Sequence, residues 1–311
     1  MLIAIAGAGA MGLLLTHLLS RTERADIWLL DIHPEREEKI REEGLLVEGV
    51  SGEHHVWPRI TVNPEEIGQA DLVIICVKSP DTYEASRNAK PVIGPHTAVM
   101  TLQNGLGNLE AIERAFGPGR ALGGTTSMGA TVLGLNHVRH AGWGETVIGE
   151  PAGKRTKRAD AILELFRLAD LDVSFTDDLS GLLWSKLIIN VGINALTALT
   201  RVHNGQLLNH EGTRAVMRMA VDEATQVVQA LGIRLLYDHP VEKVAGVCEA
   251  TAGNISSMLQ DVLKENKTEI EQINGAVVRE ARRLNIPTPV NETLVGLVTT
   301  LEESYAKRIK G

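Results

Sequence analysis

Residues 2–20 read LIAIAGAGAMGLLLTHLLS, and the interpretation of this stretch decides the fold. Leu2–Ala6 is a short apolar run of strand length, and Met11–Ser20 is a Leu-rich helical segment. Between them Gly7, Gly9 and Gly12 stand in G-x-G-x-x-G spacing, after a strand and at the opening of a helix. In that context Gly7 permits a tight turn, Gly9 lets the backbone approach a pyrophosphate, and Gly12 lets the helix pack on the strand. The backbone of Ala8, Ala10 and Met11 completes the turn, and free amides at a helix start bind an anion. The spacing alone also suits an ordinary βα turn; the strand and helix around it give it weight.

Outward from this turn, strands and helices alternate. Ala25–Leu30 reads as a second strand, 34–43 as a charged exposed helix, and 44–56 as a hairpin. The near-continuous apolar runs at 71–77 and 97–102 suit parallel strands covered on both faces. Helices are expected at about 81–90 and 107–116, and strands at 121–127 and 145–149 around a His- and Gly-rich stretch. A helix at 159–168 and a last strand at 172–175 follow. This pattern predicts an α/β, doubly wound parallel sheet of Rossmann type, with room for an antiparallel edge. After Asp178 only helical patterns occur, at about 180–199, 211–231, 238–252, 257–266, 268–284 and 289–308. The predicted organisation is therefore a dinucleotide-binding domain over 1–177 and an all-helical substrate domain over 178–311.

Composition narrows the function. The 311 residues suit two domains, and a net charge of −8 argues against nucleic acid as a partner. Cys76 and Cys248 are too few for a disulfide framework, which favours a reducing cytoplasm. The first strand begins at Leu2, leaving no room for a signal peptide, and no apolar stretch approaches the roughly 20 residues of bilayer-spanning length. The expectation is a soluble cytoplasmic protein without a membrane partner or a metal.

Asp31 ends the second strand 19 residues after Gly12, where an acid can hold both ribose hydroxyls of NAD and repel a 2′-phosphate. A solvated strand-end carboxylate is the plainer alternative, and His33 and Arg36 lie close enough in sequence to clamp a phosphate. NADH is thus favoured, with NADPH open. Lys78 and Asn104 follow two predicted parallel strands, at the sheet end where such folds gather ligands; a surface lysine and a turn-forming Asn-Gly would look the same.

The second informative segment is KLIINVGINALTAL, 186–199. Lys186, Asn190 and Asn194 fall at i, i+4 and i+8, one polar stripe on an otherwise apolar helix. Buried amides and amines are costly unless partnered, so the stripe suits a ligand cavity, or else a polar network between helices. Desolvation would lower the lysine pKa toward that of a general acid. Ser257 and Gln260 fit a capping box, as do Thr268 and Glu271, so a break near Lys267 should place Glu269 in the first turn of a new helix.

At this point the chain resembles the ketopantoate reductase (2-dehydropantoate 2-reductase) family. Four blocks carry the likeness: GAGAMG at 7–12, LQNGLGNLE at 102–110, KLIINVGINALTAL at 186–199, and TAGNISSMLQDV with TEIEQING at 251–275. The resemblance implies that Lys186 donates a proton to the reduced carbonyl of ketopantoate. It implies that Asn190, Asn194 and Asn204 bind substrate, as do Asn254, Ser256 and Ser257 in a carboxylate-holding loop. Glu269 would lie near the nicotinamide ribose and substrate, and Lys78, Asn104 and Ala130 near the cofactor. Many members place an arginine at the end of the second strand for the 2′-phosphate of NADPH, and Asp31 departs from that pattern. A sister 2-oxoacid or β-hydroxyacid reductase and a non-catalytic NAD-sensing protein are the alternatives. A homodimer through the helices near 211–231 and 289–301 stays open.

Overall fold

The structure is a computed structural model that describes residues 1–22 and 24–307. By chain contacts it divides into two compact units: Met1–Gln103 with Asn108–Leu179, and Asn104–Gly107 with the chain from Ser180 onward.

The first unit runs β1 (Leu2–Ala6), α1 (Ala10–Ser20), β2 (Asp26–Leu30), α2 (Pro34–Glu43), β3 (Leu45–Gly49), β4 (His54–Val56), β5 (Arg59–Thr61), β6 (Ala70–Ile75), α3 (Thr82–Asn88) and β7 (Ile93–Thr101). It continues with α4 (Asn108–Phe116), β8 (Ala121–Thr126), β9 (Gly129–Gly134), β10 (His137–Gly142), β11 (Thr146–Gly149), α5 (Lys157–Leu168) and β12 (Val173–Thr176). Eight strands form the main sheet in the order β12-β11-β8-β7-β6-β1-β2-β5. Every pairing is parallel except β11 with β8, so the antiparallel step lies inside the sheet rather than at its edge. β1 lies between β2 and β6, which places the glycine turn where the strand order reverses, the usual ligand crevice of open α/β sheets.

Residues 129–142 differ from the sequence expectation. They form a hairpin, β9–β10, which joins β3 and β4 in a separate four-stranded sheet, β4-β3-β10-β9. Val138 and His140 point inward on β10, and a buried histidine conceals the apolar alternation that would announce a strand. α1 packs on both sheets, and every residue from Gly12 to Leu19 is buried, as an all-round apolar helix requires.

His17 of α1 is 2% exposed, neither ring nitrogen has a protein partner, and its ring lies 4.6 Å from that of His54. Burial pushes the imidazole down to about 4, and His54, Arg21 and His140 add repulsion. A histidine depressed in the folded state is protonated first in the unfolded chain, so stability falls as pH drops from about 6.5 toward 4. Between pH 7 and pH 5 the loss should be about 2 kcal/mol, several degrees of melting temperature. Thermal melts across that range should flatten in His17→Leu; an unchanged acid slope would remove His17 as its source.

The second unit is helical throughout: α6 (Leu179–Thr200), α7 (Glu211–Ala230), α8 (Pro240–Ala250), α9 (Ser257–Leu263), α10 (Asn274–Arg283) and α11 (Pro289–Glu303). α6 is the core helix, with Leu187, Ile188, Val191, Ile193 and Ala195 almost fully buried. It is also long and apolar enough to cross a membrane by length and composition, which corrects the expectation that no apolar stretch approaches that length, because its few polar residues are spaced along an otherwise apolar helix. Its most apolar window is 72% buried against the other helices, as for a core helix of a globular unit.

α10 begins at Asn274 rather than at 268. The N–H of Thr268 donates to Glu302 Oε1 (2.7 Å) and its hydroxyl accepts from Ile270 N–H (3.2 Å). The expected capping box is thereby replaced by a tertiary contact and a local turn. Glu269 sits in that turn, not in a first helical turn.

Candidate functional site

In the sheet unit the three glycines have distinct geometries. Gly7 has φ +107°, and a Cβ there would lie 2.6 Å from Val77 Cγ1 and 2.9 Å from Val77 N. At Gly12 a Cβ would fall 1.9 Å from the Gly7 carbonyl oxygen, so α1 reaches its strand only through a residue without a side chain. At Gly9 a Cβ would meet only the Cys76 carbonyl, at 3.5 Å. The backbone is therefore open above Gly9, which is the N-cap of α1 and has no side-chain cap over the helix start. These residues fit a dinucleotide pyrophosphate.

Asp31 follows β2 and is 5% exposed. Its Oδ1 accepts from Ile32 N–H (2.8 Å) and its Oδ2 from Arg36 Nη1 (2.6 Å), while Arg36 Nε donates to the Leu135 carbonyl (3.2 Å). Arg36 is thus bound to the acid it was set against in the sequence. Lys78 is exposed beyond β6, and Ala130 lies in β9 opposite His140.

Gln103 was not singled out from sequence. Its Nε2 donates to the Val77 carbonyl (2.6 Å) and to Thr82 Oγ1 (2.9 Å), and its Oε1 accepts from Thr101 Oγ1 (2.7 Å). It ties together the ends of β6 and β7, the ends that precede Lys78 and Asn104.

In the helical unit α6 carries Lys186, Asn190 and Asn194 as expected, and the stripe continues to Thr197. Lys186 is half-buried, and desolvation pushes its ammonium down to about 8 against the opposing pull of the Glu269 carboxylate. The Glu269 carboxylate therefore lies within electrostatic reach of Lys186. Asn190 Nδ2 is a buried donor with no protein partner, and Asn194 is 5% exposed.

The structure reassigns the serines. Ser256, not Ser257, is the N-cap of α9: its Oγ accepts from Leu259 N–H (3.1 Å) and pairs with Thr197 Oγ1 (2.7 Å). Ser256 is buried and engaged, whereas Ser257 and Asn254 are exposed beside it. Asn204 closes this loop from below. Its N–H donates to the Asn254 carbonyl (3.0 Å) and its Nδ2 to Thr251 Oγ1 (2.9 Å), while its Oδ1 is buried without a partner.

Three further hydrogen bonds had no sequence signal. Tyr237 Oη donates to the Ser185 carbonyl (2.6 Å) and the Leu236 N–H to Ser185 Oγ (2.9 Å), which seats a loop on α6 beside Lys186. Leu106 N–H donates to the Gln272 carbonyl (2.9 Å), which fastens the Asn104 turn to the Glu269 turn. Among the described residues no group of three or more His, Cys, Asp or Glu side chains is placed to hold a metal.

A mainly parallel sheet whose glycine turn fits a pyrophosphate, continued by a helical unit bearing a desolvated lysine near a carboxylate and a row of amides, defines a two-unit dinucleotide-binding α/β protein. The sequence matches the ketopantoate reductase PanE/ApbA description over residues 3–153 and its C-terminal counterpart over 178–302, and the chain belongs to that family. It is 37% identical to the 2-dehydropantoate 2-reductase of Halobacterium salinarum, over 96% of this chain and 98% of that one. Against the enzyme of Archaeoglobus fulgidus it is 34% identical, over 96% and 97%. A PanE/ApbA family ketopantoate reductase from Ralstonia eutropha has a similar structure, with a TM-score of 0.90 at 33% identity over 98% of this chain and 99% of that one. D-mandelate dehydrogenase with NADH and anilino(oxo)acetate also superposes with a TM-score of 0.90, at 26% identity over 99% and 100%.

Proposed function

We propose that this chain reduces 2-dehydropantoate to pantoate, in pantothenate and coenzyme A biosynthesis, with NADH as the preferred cofactor. The observation that carries this reading is the desolvated Lys186 ammonium at the head of the α6 amide stripe, within electrostatic reach of Glu269, in a chain of this family. The hydride taken up by the ketone carbon would come from a nicotinamide dinucleotide held by the Gly7–Gly12 turn. Lys186 polarises the carbonyl oxygen and gives it a proton as negative charge develops there. Glu269 keeps that ammonium protonated by its charge, and Asn104 orients the reacting groups. Asn190, Asn194 and Asn204 hold the substrate hydroxyl and carbonyl. With the Ser256 hydroxyl engaged in capping, the carboxylate contacts fall to Asn254 and Ser257.

The cofactor is held by the turn from Gly7 to Gly12, with Lys78 and Ala130 as further contacts. An ionised carboxylate offers about four lone-pair sites, and Asp31 has committed one oxygen to Ile32 and the other to Arg36. Capacity remains for the two ribose hydroxyls, while a 2′-phosphate would meet the carboxylate charge. Initial rates with ketopantoate should favour NADH over NADPH at matched subsaturating concentrations. Asp31→Asn should cut that preference about tenfold or more, the worth of one charge-assisted contact. A wild-type preference for NADPH would give the ribose pocket to Arg36 instead.

The likeness to D-mandelate dehydrogenase favours a second reading, a sister 2-oxoacid reductase. A panel of 2-oxoacids separates the two: the first reading requires ketopantoate to have the highest kcat/KM.

A further inference from the structure

Gly105 and Gly107 flank Leu106 in the turn that follows Asn104, and both have left-handed backbones, with φ +82° and +98°. They differ in their surroundings. A Cβ on Gly105 would lie 2.4 Å from the Gln272 carbonyl oxygen and 2.7 Å from Gln272 Cβ, whereas a Cβ on Gly107 would meet nothing within 4 Å. Leu106 packs on the helical core, and its N–H holds the same Gln272 carbonyl at 2.9 Å.

Gln272 is itself fixed. Its N–H donates to the Glu269 carbonyl (3.0 Å), and two residues later Asn274 Nδ2 donates to Asn291 Oδ1 (2.9 Å) and to the Val191 carbonyl of α6 (3.4 Å). Asn291 in turn is held by Glu223, whose carboxylate accepts from the Asn291 N–H (2.9 Å) and Nδ2 (2.7 Å). The Glu269 turn is thereby registered to the helix that carries Lys186, and the Asn104 turn is seated on the Glu269 turn.

We propose that Gly105 is a positioning residue: its missing side chain lets the Asn104 turn sit on the Gln272 carbonyl, which holds Asn104 in register with Glu269 and Lys186. This rests on the reading of Asn104, Lys186 and Glu269 as reaction-site residues. Gly105 touches none of the reacting groups itself and acts through its neighbour.

The test compares Gly105→Ala with Gly107→Ala, which carry the same left-handed strain but only one of which collides. In ketopantoate reduction Gly105→Ala should lose about 100-fold in kcat, the usual result of an ångström-scale misplacement, while Gly107→Ala stays within about threefold of wild type. In an Asn104→Ala background Gly105→Ala should cost little more, because residues acting through one another are not additive. Equal losses in the two alanine variants would overturn the seating role. A full Gly105→Ala loss on top of Asn104→Ala would overturn its action through Asn104. Near-normal turnover of Asn104→Ala alone would instead remove Asn104 from the site, and with it the premise. If Gly105→Ala does not fold, Leu106→Ala carries the same comparison, since it loosens the seat without a collision: kcat should fall in the wild-type background and not in Asn104→Ala.

Discussion

Lys186→Ala should lower kcat for ketopantoate reduction by about 10³-fold while cofactor affinity stays near wild type, since the lysine acts on the carbonyl and not on the dinucleotide. The desolvated ammonium titrates near 8, and only its protonated form can donate. The reductive rate should therefore be level below about pH 8 and fall tenfold per unit above it. The Glu269 carboxylate raises this pKa against desolvation, so Glu269→Gln should move the alkaline limb to lower pH. Lys186→Arg should not rescue turnover, because a guanidinium with a pKa above about 12 does not surrender a proton at neutral pH. Stopped-flow and steady-state rates over pH 6–10 check all three. Turnover of Lys186→Ala within tenfold of wild type would take the lysine out of the mechanism.

Gly12→Ala and Gly9→Ala should separate folding from cofactor binding within one turn. The Gly12 methyl would stand 1.9 Å from a main-chain carbonyl that cannot rotate away, so α1 must shift along both sheets it packs against. A loss of at least about 3 kcal/mol of stability is expected, at the upper end of overpacking costs, together with cofactor binding. The Gly9 methyl meets one atom at ordinary contact distance, so Gly9→Ala should melt like wild type. It intrudes on the open backbone, and its NADH affinity should fall at least about tenfold. Melting curves and nicotinamide fluorescence titrations distinguish the two. Wild-type NADH affinity in Gly9→Ala would place the pyrophosphate elsewhere.

Much of the architecture was legible because local signals agreed with the tertiary result. The strand, turn and helix of 2–20 appear at the expected residues, and the i, i+4, i+8 spacing put Lys186, Asn190 and Asn194 on one helix. Thr197 was within reach as the next step of that stripe. The misses share a physical origin, a partner distant in sequence. Ser256 and Ser257 are equally good caps locally, and Thr197, 59 residues away, engages the first. Thr268 has a capping signature, yet Glu302 claims its N–H from α11. β10 hides because one of its two inward positions is a buried histidine, close enough to His17 of α1 to act on it electrostatically. The contacts of Gly105 with Gln272 and of Tyr237 with Ser185 join residues with no periodic relation, so no pattern along the chain announces them.

The allocation of Asn104–Gly107 to the helical unit bears on how members of this family can be recombined. A chimera cut once near residue 178 would transplant the helices but leave behind four residues that belong to them, and would pair a foreign Gln272 carbonyl with a resident Gly105. The exchangeable block is therefore two pieces of sequence, and a faithful graft carries the short 104–107 insert together with everything from Ser180 onward.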